Sequence, residues 1–475
     1  MDATVRNGMA ELNRSAARTR LLWALAVLAL AVVLLAPAAY NRFPLIFPDT
    51  SAYFSVAWAN SWPVDRAGFY GLFLAPVLRS VAAVPAMWLA VFAQACVIAL
   101  VLVAVLHRIW PGASPITAFA LTAALALTTS LSWHASQLLP DAFTGAVVLL
   151  AWLAASRNMG DRGTPLLWLA TGIITLLHFT HTLIVAAVIL ATMLVHALSG
   201  TPLKELARRT LAAALMLAAV FGSHTVMNGV NFNRWTPSPL GGYFLFARLH
   251  QDGLVPRWFD RHCGIDAPKP LCDIRGTIPH NMEVLLWSHG QYSPFVERIN
   301  KKIGSPESWR WAEMTAEAAR GSLREEPVAF ARNAAIATAG QFVHFQALED
   351  ECPENCRNLM MFKWQPSLIE PMRSSRQLSG ELPKREIRIL TSIPAVAGLL
   401  LLLPLLVAAI RRRDVVAQSL LSATIVGLLS NAAVAGALSH VDNRYQSRVV
   451  WIAPFVVLLI AARWYAPSLS RLRRP

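Results

Sequence analysis

The sequence predicts an all-α polytopic membrane protein with about ten transmembrane helices and a mainly helical, disulfide-stapled external domain. Three observations carry this expectation. The 475 residues are 55% hydrophobic and only 15% charged, with a mean hydropathy of +0.46, more apolar surface than a water-soluble core can use. Apolar runs near the roughly 20 residues of a spanning helix recur along the chain. The basic residues behind the net charge of +15 stand in short loops between those runs. They form no basic face with interleaved aromatics, so they read as topology signals and nucleic acid is excluded as a partner.

Taken in order, windows of spanning length cut at charged and Pro/Gly clusters give helices near 21–40, 84–106, 115–132, 138–156, 165–180, 182–199, 210–228, 389–410, 415–438 and 449–465. The first follows Arg6, Arg14, Arg18 and Arg20 and is long enough to span, so it reads as a retained helix and not a cleaved signal. His107-Arg108, Arg157 with Arg162, Lys204 with Arg208 and Arg209, Arg411 to Arg413, and Arg463 with Arg471, Arg473 and Arg474 all follow even-numbered spans. By the positive-inside rule both termini are cytoplasmic. Asp49, Asp65 and the turn from His440 to Arg448 then face the opposite side together.

The chain divides into a transmembrane region over 1–228 with a first external loop at 41–83, an external segment over 229–388, and C-terminal spans over 389–475. The middle segment abandons the apolar pattern and holds four of the five cysteines. Helical spacing of apolar residues predicts helices from Glu307 to Arg320 and from Glu326 to Phe345. Cys263 with Cys272, and Cys352 with Cys356, read as two local disulfides in an oxidising compartment. Zinc is the competing reading, although these spacings lack the paired knuckles of structural zinc sites. Cys96 lies mid-span as a small buried residue.

The chemistry is expected around Phe47-Pro48-Asp49-Thr50-Ser51-Ala52-Tyr53, which places a carboxylate just past the first span. Pro48 and Asp49 suit a helix start, and Tyr53, four residues on, shares a face with Asp49; Tyr53, Phe54 and Trp58 are the aromatics that interfaces select. A simple capped interfacial helix accounts for the same residues. The segment Asp65-Arg66-Ala67-Gly68-Phe69-Tyr70-Gly71-Leu72-Phe73-Leu74 and the late Asn443-Arg444-Tyr445 add to the pattern. Together these stretches resemble the GT-C superfamily of integral-membrane glycosyltransferases, of the aminoarabinose-transferase and protein O-mannosyltransferase type. Ala67 and Gly71 stand where that superfamily usually has prolines.

The resemblance implies a polyprenyl-phosphate sugar as donor, an external glycan, lipid or protein as acceptor, and Asp49 as the catalytic base. It also implies a bacterial inner-membrane location with the active site on the external face. Tyr53 and Arg66 would line the donor and acceptor site. Asp141, opening the fourth span, would hold the acceptor or a metal; a helix start with Pro140 at its first turn explains it equally well. His178 and His181, three residues apart, share a helix face, so with Asp141 they could hold a divalent cation. Interfacial histidines bonded to backbone or water are the alternative. Arg444, Tyr445 and Arg448 would meet the donor phosphate, since arginine forks onto phosphate oxygens; an ion pair from Asp442 to Arg444 or Arg448 competes with that role. His440 and Asp442 would orient these arginines, and His134, on the same external turn as Asp141, would be its neighbour.

No Walker loop, nucleophile elbow, HExxH or dinucleotide fingerprint occurs, which argues against nucleotide-driven transport and hydrolase chemistry. A transporter or flippase of a lipid-linked sugar, or a scaffold of envelope assembly, remains the competing class. Transporters, however, place polar groups at midspan, whereas here they collect at one surface.

Overall fold

The computed structural model describes residues 3–287, 294–303, 309–348, 356 and 359–472; before Ala17 and after Tyr465 it describes only the path of the backbone. It is helical throughout, with no strand among the described residues beyond an isolated bridge between Leu45 and Gln137.

Helices occupy all ten expected places. Among the described residues, seven are long and apolar enough to cross a bilayer: Ala17–Asn41, Ala83–Ile109, Phe179–Leu198, Leu203–Phe232, Lys384–Arg411, Val415–Leu438 and Asn443–Tyr465. Their outer faces carry exposed leucines such as Leu190, Leu194, Leu211, Leu215, Leu400 and Leu403, which lipid would cover. Pro115–Thr128, Thr144–Ala155 and Thr164–Leu176 are shorter, at 14, 12 and 13 residues, or roughly 18–21 Å at 1.5 Å per residue. Every residue of Thr144–Ala155 is buried by other helices. Hydropathy cannot tell burial in protein from burial in lipid, which is why this segment reads as a span in the sequence.

The 229–388 segment has two parts that attach differently. Helices from Gly241 to Phe330 enclose a core of their own, including Tyr243, Phe246, Trp258, Phe259 and Phe295. Arg310–Glu325 and Pro327–Val343 fall where helical spacing placed them. Met361, Phe362, Leu368, Met372 and Leu378 instead pack into the core of the membrane helices. There Gln377 grips the loop after the first span, accepting from Ile46 N and donating to Ile46 O, and Met361 N donates to Ser51 Oγ.

Two glycines set the close approaches that shape the site. A Cβ at Gly71 would lie 2.2 Å from Tyr53 O, so only glycine lets helix Phe69–Ser80 rest on helix Thr50–Trp58. A Cβ at Gly436 would lie 2.8 Å from the Ala337 backbone, where Val415–Leu438 crosses Pro327–Val343.

Candidate functional site

The short helix Thr50–Trp58 begins just after Asp49, but the Asp49 side chain makes no capping hydrogen bond. Its carboxylate turns to two arginines: Oδ1 lies 2.7 Å from Arg66 Nη1 and Oδ2 lies 3.7 Å from Arg444 Nη1. The capped-helix reading therefore fails on geometry. Burial pushes the Asp49 carboxyl up, and the charges of Arg66 and Arg444 outweigh it, holding the group below its ordinary value. The side chain remains 31% exposed, so a ligand can reach it.

Arg66 also grips Asp65 with two hydrogen bonds, at 3.2 and 2.7 Å. It lies over the rings of Tyr53 and Trp287, and its Nη1, although close to Asp49, has no aligned acceptor. Tyr53 and Phe54 are buried, with Tyr53 edge-on to Tyr70 at 5.3 Å. They line the protein core and not a lipid interface, which corrects the interfacial-helix expectation. Behind them Tyr70 donates to Gln94, and Gln94 donates to the carbonyls of Ala135 and Gln137, fixing the turn that leads to Asp141.

Arg444 is stacked on Phe47 at 4.0 Å. Its Nη2 reaches Tyr445 Oη at a long 3.4 Å, while its Nε and Nη1 are buried without a hydrogen-bond acceptor. Most of its donors are thus unmet, although its side chain is only 15% exposed. A buried guanidinium in that state is a strong site for an oxyanion. Asp442 caps helix Asn443–Val450 by accepting from Arg444 N. The turn is clamped by Gln341, which exchanges two hydrogen bonds with the Asp442 backbone, and by Asn443, which accepts from Gln346 N.

Arg448 behaves differently. It is 1% exposed and bonded to Asp141, to Asn431 Oδ1 and to Thr180 Oγ1. With its fork already filled, it holds helices together and leaves no donor pair for a phosphate. Asp141, in the 3-10 turn Pro140–Phe143, is equally buried and paired. His181 has both ring nitrogens committed, to Thr144 Oγ1 and to the Ile174 carbonyl. His178 Nδ1 accepts from Thr180 N and contacts its hydroxyl. Asp141, His178 and His181 therefore form no metal-ligand cluster. His134 contacts Ser447 Oγ and acts as a neighbour, as expected.

Among the described residues one trio has metal-ligand proximity: Glu283, His440 and Asp442, with ligand atoms within 4.8 Å of one another. His440 Nε2 lies 3.1 Å from Glu283 and 3.5 Å from Asp442. Burial works against its charged form, but these carboxylates hold the imidazole up at about 10.

Cys263 and Cys272 are joined as expected; Cys352 lies outside the described residues. Sequence reasoning missed Gln94 and Asn431, although each is a polar residue inside an apolar run, which is itself a signal. It also missed Glu283 and Arg248, which carry no such signal in a mixed segment. No protein-family model, curated protein or solved structure matches this chain.

Proposed function

We propose that this is a membrane glycosyltransferase that moves a monosaccharide from a polyprenyl phosphate to a hydroxyl acceptor, with Asp49 as general base. One observation carries the reading: a reachable carboxylate sits beside Arg444, whose buried donors have no acceptor. The pair supplies the two things the displacement needs. The acceptor O–H gives its proton to Asp49, its oxygen bonds to the anomeric carbon, and the carbon–oxygen bond to phosphate breaks with its electrons going to the phosphate. Arg444 takes the developing anion.

The same arrangement answers an objection. A carboxylate held below its ordinary pKa is a weak base, yet a phosphate docked on Arg444 neutralises one of the charges responsible and returns basicity to Asp49. Binding the donor thus prepares the base. Arg66 and Asp65 orient the carboxylate, and Tyr53 walls the site. Arg448, Asp141, His178 and His181 hold the scaffold beneath it. In this reading the site faces the compartment opposite the termini, where a lipid-linked donor replaces nucleotide sugars.

The deciding experiment reconstitutes the protein in nanodiscs with membrane lipid extract and identifies by mass spectrometry the lipid that co-purifies. A polyprenyl phosphate sugar retained by the native protein and lost from Arg444→Ala supports the reading. Retention by both proteins, or by neither, defeats it.

A further inference from the structure

A cavity of 590 Å3 lies where helices Gly241–Gln251, Met282–Trp287 and Pro327–Val343 meet the turn through His440 and Val441. Its size is within the roughly 300–1,000 Å3 usual for ligand sites, and nothing in the catalytic reading uses it. Its charged walls are paired internally: Arg248 lies 3.1 Å from Asp252, and His440 lies 3.1 Å from Glu283. An ionic ligand would have to break one of these pairs, so the lining disfavours a net charge.

Unmet polar capacity remains all the same. Arg248 is 4% exposed and donates from Nη1 to Ser439 O, but its Nε is buried without an acceptor; Asp252 Oδ2 is buried without a donor. The carboxamides of Gln251 and Asn281, whose oxygens already accept from Met282 N and Val284 N, add amide donors to the same wall, Asn333 adds a donor and an acceptor, and Ile336 and Val441 give it an apolar strip. Unmet donors and acceptors beside an apolar strip, with the charged groups paired to one another, match a molecule whose hydroxyls both give and take hydrogen bonds and whose ring carbons present C–H faces. We infer that this cavity binds a neutral, hydroxyl-rich saccharide.

The position gives the saccharide a role. His440 and Val441 in the wall run through the clamped Asp442 into Arg444, which stands against Asp49. A sugar chain seated in the cavity touches His440 and Val441, on the segment that leads into Arg444. This makes the acceptor a preformed neutral oligosaccharide, with the cavity holding its inner residues. Only the word acceptor rests on the glycosyltransferase reading; the binding site itself does not.

The test is isothermal titration calorimetry on the full chain in nanodiscs, with uncharged hexasaccharides of glucose, mannose, galactose and arabinose, and oligogalacturonate of equal length as the charged control. At least one neutral probe should bind and the oligogalacturonate should not. Asn333→Trp and Ile336→Trp should each weaken that binding tenfold or more; Ile336 is 61% exposed, so its variant fills the cavity mouth with little demand on folding. Failure of every neutral probe, preference for the charged one, or unchanged affinity in the folded Ile336→Trp protein overturns the inference. Saccharide binding without sugar transfer would sink the enzymatic reading and leave the cavity assignment standing, and transfer with unaltered affinity in Ile336→Trp would do the reverse.

Discussion

Arg444 Nη1 stands 3.7 Å from Asp49 Oδ2, which brings together the loop after the first span and the turn before the last. Neither residue is satisfied by the other. The carboxylate leans on Arg66 at 2.7 Å, and the Arg444 guanidinium keeps buried donors without acceptors. The contact is loose enough to open for a ligand and close enough to couple the charge of one group to the basicity of the other.

The two residues should therefore fail differently. Asp49→Asn keeps the shape but has no useful base, so donor lipid should still bind while transfer falls on the order of 100-fold or more. Arg444→Ala should weaken donor binding by about 2–5 kcal/mol, the range for a desolvated charge pair losing one member. Donor retention and single-turnover transfer, measured on both variants, separate these outcomes. Near-normal transfer by Asp49→Asn would move the base to Asp65, the next carboxylate on Arg66.

Much of this arrangement was legible in the sequence, for a physical reason. Polar residues at the ends of apolar runs are rare and costly, so Asp49, Arg66, Asp141 and Arg444 stand out by hydropathy alone. Their pairing was not legible, because periodicity carries no information on which of two arginines one helical turn apart meets which aspartate. Arg444 and Arg448 read alike in sequence, yet one keeps unmet donors and the other is saturated by Asp141, Asn431 and Thr180. The burial of Thr144–Ala155 was not legible for the same kind of reason, since hydropathy does not show that its apolar side chains face other helices.

That saturation gives a second prediction. Arg448→Ala leaves the Asp141 carboxylate buried and unpaired, at a cost of about 3–5 kcal/mol. The variant should be hard to purify in folded form, as judged by size-exclusion profile and thermal midpoint. Replacing both partners by apolar residues of similar volume, Arg448→Met with Asp141→Leu, should recover much of the loss. An Arg448→Ala protein that folds normally but loses donor lipid would make Arg448 a phosphate ligand after all.

The disulfide between Cys263 and Cys272 closes a loop with a sequence separation of 9. A loop of that size stabilises by about 2–3 kcal/mol in the chain-entropy model. Cys263→Ser should lower the stability of the helices around Phe246 and Phe259 by that amount while sparing the membrane core. Peptide mapping without reductant should recover the Cys263–Cys272 pair from native membranes, and limited proteolysis should cut the variant first within residues 241–287.

Charge placement predicts which side the site faces. Fusions of an oxidation-dependent reporter after Gly200 and after Arg413 should be silent, and a fusion after Gly276 should be active. The opposite result at Gly276 would put Asp49, Arg444 and the cavity wall on the same side as nucleotide sugars, and the argument for a lipid-linked donor would lose its basis.

His440 makes the seam between the membrane turn and the Met282–Trp287 helix sensitive to alkali. Four groups face its ring: Glu283 at 3.1 Å, Ser439 Oγ at 3.4 Å, Asp442 at 3.5 Å and the Tyr445 ring edge-on at 5.5 Å. Its pKa is raised from 6.5 to about 10 in the folded protein, so the folded state holds the proton more tightly than the unfolded chain. The stabilisation is then complete below pH 6.5 and is lost as pH rises through 10. Glu283 is 60% exposed, so solvent screening limits the effect to on the order of 1 kcal/mol. Thermal midpoints measured between pH 7 and about 10 should fall more steeply for the native protein than for His440→Gln, which cannot titrate there. Parallel curves for the two proteins would mean that the imidazole is neutral in the folded state.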